Sequence, residues 1–280
     1  MNILELLNSG SQTLKKNNIV TCKLDSELLL SKVLNKKREE LLINLNQKIG
    51  LNEVVKFNHL ISRRFLKEPI AYILKEKEFW SKTFYVDKNT LIPRPETELM
   101  VEKLINIFSG KAIKILDIGT GSGCIIISLL SELKKSKGIG VDISKKAINV
   151  AKKNSIKHGL NDRIKFLNKS LSTLFNQKFD LIVSNPPYIK SSDLKNLDED
   201  IKFFEPKIAL DGGNDGLDLI KKVIYKTKNI LKIKGMLSLE IGNEQYKEVS
   251  KILKKNNYKI EDIIIDYKNN VRCILSKLVD

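Results

Sequence analysis

Four residues, Asn185, Pro186, Pro187 and Tyr188, close the apolar run FDLIVS. Proline fixes φ and carries no backbone donor, so the turn is stiff and its centre offers only carbonyl acceptors. The residue before a proline is driven to an extended backbone, which keeps Asn185 out of a helix. The Asn185 amide oxygen and the Pro186 carbonyl can then each accept one N–H of a flat amino group, while Tyr188 stacks on its face. Such a grip fixes the plane of the group and leaves its nitrogen lone pair free to react. A second motif, LDIGTGSG, spans 116–123, with Thr120 and Ser122 between the glycines Gly119, Gly121 and Gly123. Glycines let a ligand approach the backbone, and the helix start that follows favours an anion. The spacing is GxGxG; the last glycine of the dinucleotide fingerprint would fall on Cys124. Asp142 ends the next strand-like run, where a carboxylate can accept from both ribose hydroxyls.

Both motifs require a strand that ends beside them. From Lys111 the runs KILDIG, GIGVDI, RIKFL, FDLIVSN, GMLSLEIG, YKIEDIIID and VRCILS occur in order, the first five separated by helical segments. Alternation of this kind predicts a doubly wound, Rossmann-like α/β sheet, and such sheets bind ligands at the C-terminal ends of their strands. The last two runs have no helix between them, which predicts an antiparallel pair at the sheet edge. Residues 1–68 differ: leucines three and four apart predict short amphipathic helices packed as a bundle. Asp25 before SELLLSKVL, and Asn52 with Glu53 before VVKFNHL, read as helix starts. The bundle is either an ordinary cap or a docking domain for a macromolecular substrate. Residues 69–93 contain EFWSKTFYVDKNTLI, predicted to be a β-hairpin linker. Residues 94–280 form the α/β domain, its first helix opened by Pro95, Glu96 and Glu98.

Of 280 residues, 42% are apolar and 30% charged, the balance of a globular chain. No apolar run approaches the ~18 residues of a membrane helix, and MNILELL lacks a basic signal region, so a cytoplasmic protein without membrane contact is expected. Cys22, Cys124 and Cys273 are widely spaced, and His59 and His158 are isolated, so no metal is expected. His158, just before Gly159, reads as a helix end. The net charge of +17 admits a weak attraction to nucleic acid, yet only six of 50 basic residues are arginine and the lysines are scattered.

The glycine loop and Asp142 together resemble the cofactor site of class I S-adenosyl-L-methionine-dependent methyltransferases. That resemblance implies that Gly119 to Gly123 wrap the methionine end of the cofactor, that Asp117 faces its ammonium, and that Asp142 binds its ribose. The NPPY turn resembles that of amino-methyltransferases acting on adenine, guanine or glutamine amides, all of which present a planar NH2. The segments PIAYILKEKEFWSKTFYV, LIPRPETELMVE, ILDIGTGSG, DLIVSNPPYI and FEPKIALDGGNDGL are, taken together, similar to the release factor glutamine methyltransferases, the PrmC or HemK family. The resemblance implies methylation of N5 of the glutamine in the GGQ tip of class 1 peptide chain release factors. It further implies that Asn185 touches both cofactor and substrate and that Asn185 to Tyr188 clamp the glutamine. A ribosomal-protein glutamine, and an adenine N6 in nucleic acid, stand as alternatives. The family usually places an acidic and then an aromatic residue after the third strand; this chain has Asn168-Lys169-Ser170-Leu171, and no role is transferred there. Glu205 and Asp211 read as residues that order the FEPKIALDGG loop.

Overall fold

Apolar residues three and four apart within the first 75 positions form five helices: α1 (Ile3–Lys16), α2 (Cys22–Leu34), α3 (Arg38–Ile43), α4 (Leu51–Phe65) and α5 (Ile70–Leu74). The computed structural model describes residues 1–171 and 177–279. A capping box opens α1: Glu5 N–H donates to Asn2 Oδ1 and Asn2 N–H to Glu5 Oε2, each at 2.9 Å. Leu6, Leu14, Leu29, Leu30, Phe57 and Ile61 bury together as the core of this bundle. Gly10 lets α1 approach its neighbours, since a Cβ there would stand 2.6 Å from Ser26 Oγ and 2.7 Å from Phe57 Cζ.

Asp25 is not a helix start. Helix α2 begins at Cys22, and Asp25 is buried one turn in, accepting from Arg64 Nε of α4 at 2.7 Å. The residue that looked like a cap is therefore half of an internal ion pair with Arg64. Helix α4 likewise starts at Leu51, with Gly50 at its N-cap, ahead of the Asn52–Glu53 pair.

The chain divides into two compact units, Met1–Lys75 with Glu199–Phe204, and Glu76–Asp198 with Glu205–Asp280. The division therefore follows Lys75, seven residues beyond the boundary at 68 that composition indicates. The cause is packing: Ile73 of α5 is buried in the helical core, whereas Phe79 and Phe84 are buried with Met100 and Leu104 in the second unit. Those phenylalanines sit on the hairpin β1 (Glu76–Phe79) and β2 (Lys82–Tyr85), which is thus part of the α/β unit and not a free linker. Its two turn residues, Trp80 and Ser81, both have φ of 52°, the left-handed geometry that joins tight hairpins.

The second unit continues as α6 (Glu96–Phe108), β3 (Lys114–Ile118), α7 (Cys124–Glu132), β4 (Lys137–Asp142), α8 (Lys145–Lys157), β5 (Ile164–Asn168) and β6 (Phe179–Ser184). After α9 (Glu199–Phe204), which counts with the helical unit, come α10 (Asp218–Thr227), β7 (Leu231–Glu240), α11 (Tyr246–Lys255), β8 (Tyr258–Ile265) and β9 (Val271–Leu278). In α9, Asp200 Oδ2 accepts from Arg64 Nη1 at 3.0 Å, so that ion pair is a triad. The seven-stranded sheet has the order β5-β4-β3-β6-β7-β9-β8. Strands β3 to β7 are parallel, while β9 runs antiparallel to both β7 and β8. The expected terminal pair is present, with β9 inserted between β7 and the edge strand β8. Helices α6, α7 and α8 cover one face, burying Met100, Ile126 and Ile148; α10 and α11 cover the other, burying Ile220, Val223 and Leu253. A sheet buried on both faces explains the nearly continuous apolar runs of its strands. The strand order reverses between β3 and β6, so the loops after those two strands diverge and leave a crevice at the sheet's C-terminal edge.

Candidate active site

The crevice holds a cavity of about 1060 Å³, lined on one side by Gly119, Thr120, Gly121, Ser122 and Asp142 and on the other by Asn185 and Pro187. The glycine loop is sewn to the adjacent strand, because Gly119 N–H and Thr120 N–H both donate to Val141 O, at 2.9 and 3.0 Å. Gly119 and Gly121 have φ of +71° and +53°, values open to glycine and costly for other residues. A Cβ built on Gly119 meets no atom within 4 Å, so this backbone borders open cavity. Gly123 has a different duty: it is absent from the cavity lining, and a Cβ there would press on Ile127 and Ala151, so it seats α7.

Asp142 accepts from Gly121 N–H at 3.0 Å and Ser144 N–H at 2.8 Å, which holds its carboxylate at the cavity wall. Burial raises its pKa, against the pull of those amides. Asp117 is fully buried beneath the loop. Its Oδ2 accepts from Thr120 Oγ at 2.7 Å, while Oδ1 has no hydrogen-bond partner. Burial pushes its pKa up to about 7. A buried carboxylate oxygen left unpaired is rare in folded proteins; Asp117 does not itself line the cavity and sits behind the loop that does. An open glycine cradle and a wall carboxylate, with a second carboxylate buried behind the loop, fit the ribose and amino-acid ends of an S-adenosylmethionine-like ligand.

On the opposite side, Asn185 and Pro187 face the cavity, but the Pro186 ring is buried and Tyr188 does not line it. The Tyr188 ring packs with the apolar layer beneath α10 and α11, and a Cβ on Gly242 would stand 3.0 Å from its Cδ2. Burial pushes its phenol up to about 12. The stacking surface expected of Tyr188 is therefore turned into the protein, where its bulk holds the turn. Beyond the turn, Ile189 N–H donates to Leu210 O at 3.1 Å and Gly212 N–H to Ile189 O at 2.8 Å, so the FEPKIALDGG loop runs alongside it. Glu205 and Asp211 order that loop as expected. Glu205 accepts from Ile92 N–H at 3.2 Å and from Arg94 at 2.7 Å; Asp211 accepts from Ser191 Oγ at 2.6 Å and Gly213 N–H at 3.0 Å.

Several lining residues carry no local signature. Thr90 precedes the LIPRPET segment, Arg94 and Thr97 come from it, and Ile143 comes from the turn after β4. In the segment Asn168-Lys169-Ser170-Leu171, the last three residues line the cavity. Asn168 instead braces the wall, donating from Nδ2 to Asp142 O at 3.0 Å and Ile143 O at 2.7 Å. His158 caps α8 and its Nε2 lies 3.2 Å from Thr83 O; burial lowers its pKa, so the neutral ring is favoured over a charged helix end. Among the described residues no group of side chains is arranged to hold a metal ion, the three cysteines are unbridged, and no helix is long and apolar enough to cross a membrane.

Fold and crevice define a class I methyltransferase. Residues 109–276 match the methyltransferase domain family, and residues 5–74 match the PrmC N-terminal domain. A methyltransferase from Pyrococcus furiosus has the same fold, with a TM-score of 0.54 at 15% identity over 70% of this chain and 89% of that one. The release factor glutamine methyltransferase of Buchnera aphidicola subsp. Acyrthosiphon pisum is 37% identical over all of both chains. The bifunctional methyltransferase of Rickettsia typhi is 40% identical over 97% of this chain, which spans only 56% of that protein. The chain belongs to the release factor glutamine methyltransferase family.

Proposed function

We propose that this chain transfers a methyl group from S-adenosyl-L-methionine to N5 of the glutamine in the GGQ motif of class 1 peptide chain release factors. The observation that carries this reading is that one cavity joins the glycine cradle to the Asn185–Pro187 turn, so a cofactor and a flat amide can meet across it. When bound, the cofactor supplies a methyl group attached to a positively charged sulfur. Gly119 to Ser122 hold its amino-acid end, with Gly123 seating the helix that follows, Asp117 faces its ammonium and Asp142 holds its ribose. Asn185 Oδ1 and the Pro186 carbonyl accept the two N–H groups of the glutamine amide. An amide nitrogen is a weak nucleophile because its lone pair is delocalised; two acceptors on its hydrogens return density to nitrogen and fix its plane. Holding reactants in register contributes much of the rate in such reactions, and dipoles set in advance contribute more. The second amide proton leaves to solvent once nitrogen is methylated, so no strong base is required.

The helical unit, Met1–Lys75 with Glu199–Phe204, serves as the docking domain for the release factor, and the α/β unit, which begins with the hairpin at Glu76, carries the chemistry. The protein works in the cytoplasm, where release factors act, and its excess lysine adds at most a weak attraction to nucleic acid. Incubation with labelled S-adenosylmethionine and a release factor should label the factor, and a Gln→Ala change in its GGQ tip should abolish the signal. Label on a ribosomal protein, or on adenine in nucleic acid with none on protein, would replace this substrate.

A further inference from the structure

Strand register brings a carboxyl group to the acceptor turn that no motif identifies. Ser184 pairs with Leu239 across β6 and β7, so one residue further on Asn185 and Glu240 fall side by side on the same face. Glu240 is 2% exposed. Its Oε2 accepts from Thr97 Oγ of α6 at 2.7 Å, and the strand register sets Asn185 beside the same carboxyl. Thr97 and Asn185 both line the cavity, so Glu240 stands directly behind its acceptor wall. The same segment supports the far end of the turn. Gln245 donates from Nε2 to Tyr188 O at 3.0 Å and Gly216 O at 3.2 Å, and accepts from Gly242 N–H at 2.8 Å.

We infer that Glu240 is a positioning residue whose ionised carboxylate, accepting from Asn185 Nδ2, turns Asn185 Oδ1 into the cavity as the acceptor for the substrate amide. An ionised carboxylate can only accept, so Thr97 occupies one oxygen and the Asn185 N–H the other. A protonated Glu240 can donate instead, which attracts Asn185 Oδ1 inward and turns Nδ2 toward the cavity. Nδ2 cannot accept an N–H, so the turn loses its grip on a carboxamide. Burial pushes the Glu240 pKa up to about 7, with Thr97 and Asn185 pulling it down. Arg272 of β9 also pulls it down and Glu96 of α6 pushes it up. Tyr188, Cys124 and Cys273 feel the Glu240 charge in turn, while the Arg272 guanidinium is engaged with Asp266 at 2.7 Å. The acceptor orientation is therefore present above the Glu240 pKa and is lost as pH falls through it.

This inference rests on the methyl-transfer reading, and its test separates the two. In the wild type, the 15N-labelled Asn185 side-chain amide should titrate near pH 7, and kcat at saturating cofactor should fall on the acid side with the same midpoint. Glu240→Gln should turn over at a rate independent of pH across this window and abolish the Asn185 titration. Glu240→Leu should lower kcat roughly 10²-fold at every pH, the cost of a misplaced acceptor, with cofactor Kd by calorimetry changed less than about 3-fold. An Asn185 amide that does not titrate in the wild type, or an acid limb that persists in Glu240→Gln, would overturn the inference even where the release factor is labelled. An Asn185 titration that depends on Glu240, in a protein that labels no release factor, would preserve the positioning role and reject the substrate.

Discussion

The two walls of the cavity are made in different ways. The glycine-loop wall, proposed above to hold the cofactor, is a short run of backbone: Gly119 and Gly121 take left-handed φ values, and their amides bond to the neighbouring strand and to Asp142. The opposite wall, proposed above as the acceptor wall, is a stiff turn held by side chains from far along the chain. Glu240 reaches it from the end of β7 and Gln245 from the N-cap of α11, Thr97 braces Glu240, and the FEPKIALDGG loop runs beside it, itself pinned by Glu205 to Ile92 and Arg94. A backbone wall depends on conformation and open space, whereas a side-chain wall depends on the orientation of single polar groups. The first should tolerate few substitutions within its own loop, and the second should be disturbed from a distance.

The largest separation of the two walls comes from Asn185→Ala. It should lower kcat roughly 10²–10³-fold, as removal of one preorganised polar group does elsewhere, while calorimetry finds cofactor Kd within about 3-fold of wild type. Equal losses in both would mean that the walls are one unit. Next, Gly119→Val places a branched side chain at positive φ and into the open cradle; cofactor affinity should weaken by roughly 10²-fold while the fold, followed by circular dichroism, is kept.

Asp117→Asn should weaken cofactor binding about 10-fold, the scale of one charge-assisted hydrogen bond. The proton balance sharpens this prediction. Free Asp117 has a pKa of about 7 and an ammonium partner favours its ionised form. Binding by the wild type near neutral pH should therefore release about half a proton, measured by calorimetry in buffers of different ionisation enthalpy, and affinity should fall at lower pH. The variant should show neither effect. For the ligand-free protein the sign is opposite in consequence. A carboxyl whose folded pKa is raised adds stability below its unfolded value, and that stability is lost as pH rises through the folded pKa near 7. Asp117→Asn should thus stabilise the ligand-free protein above neutral pH by on the order of 2 kcal/mol relative to wild type, with no gain at acid pH, as read from denaturant melts. The smallest effect falls at the edge of the acceptor wall. Gln245→Ala removes the bonds to Tyr188 O, Gly216 O and Gly242 N–H and should lower kcat about 5–10-fold, on the scale of the net worth of a hydrogen bond, leaving cofactor binding unchanged.

What could be read along the chain follows the same division. Strand ends, the GxGxG loop, Asp142 and the NPPY turn are local patterns, since period, proline geometry and glycine freedom act within a few residues. The helical bundle was legible for the same reason, but Asp25 misled: a carboxylate ahead of an apolar run has the same local appearance whether it caps a helix or pairs with Arg64 in the core. Tyr188 misled likewise, because which way a ring turns depends on the layer beneath α10 and α11 and not on its neighbours in sequence. By itself the sequence determined the α/β sheet, the glycine loop and the existence of a rigid proline turn, all consequences of short-range backbone preference. Only the tertiary structure decided that Glu240, Gln245 and Thr97 stand behind that turn, that Asp117 is left with an unpaired oxygen, and where the helical unit ends. Register and burial are set by strands and helices that meet across a hundred residues, and no local preference records them.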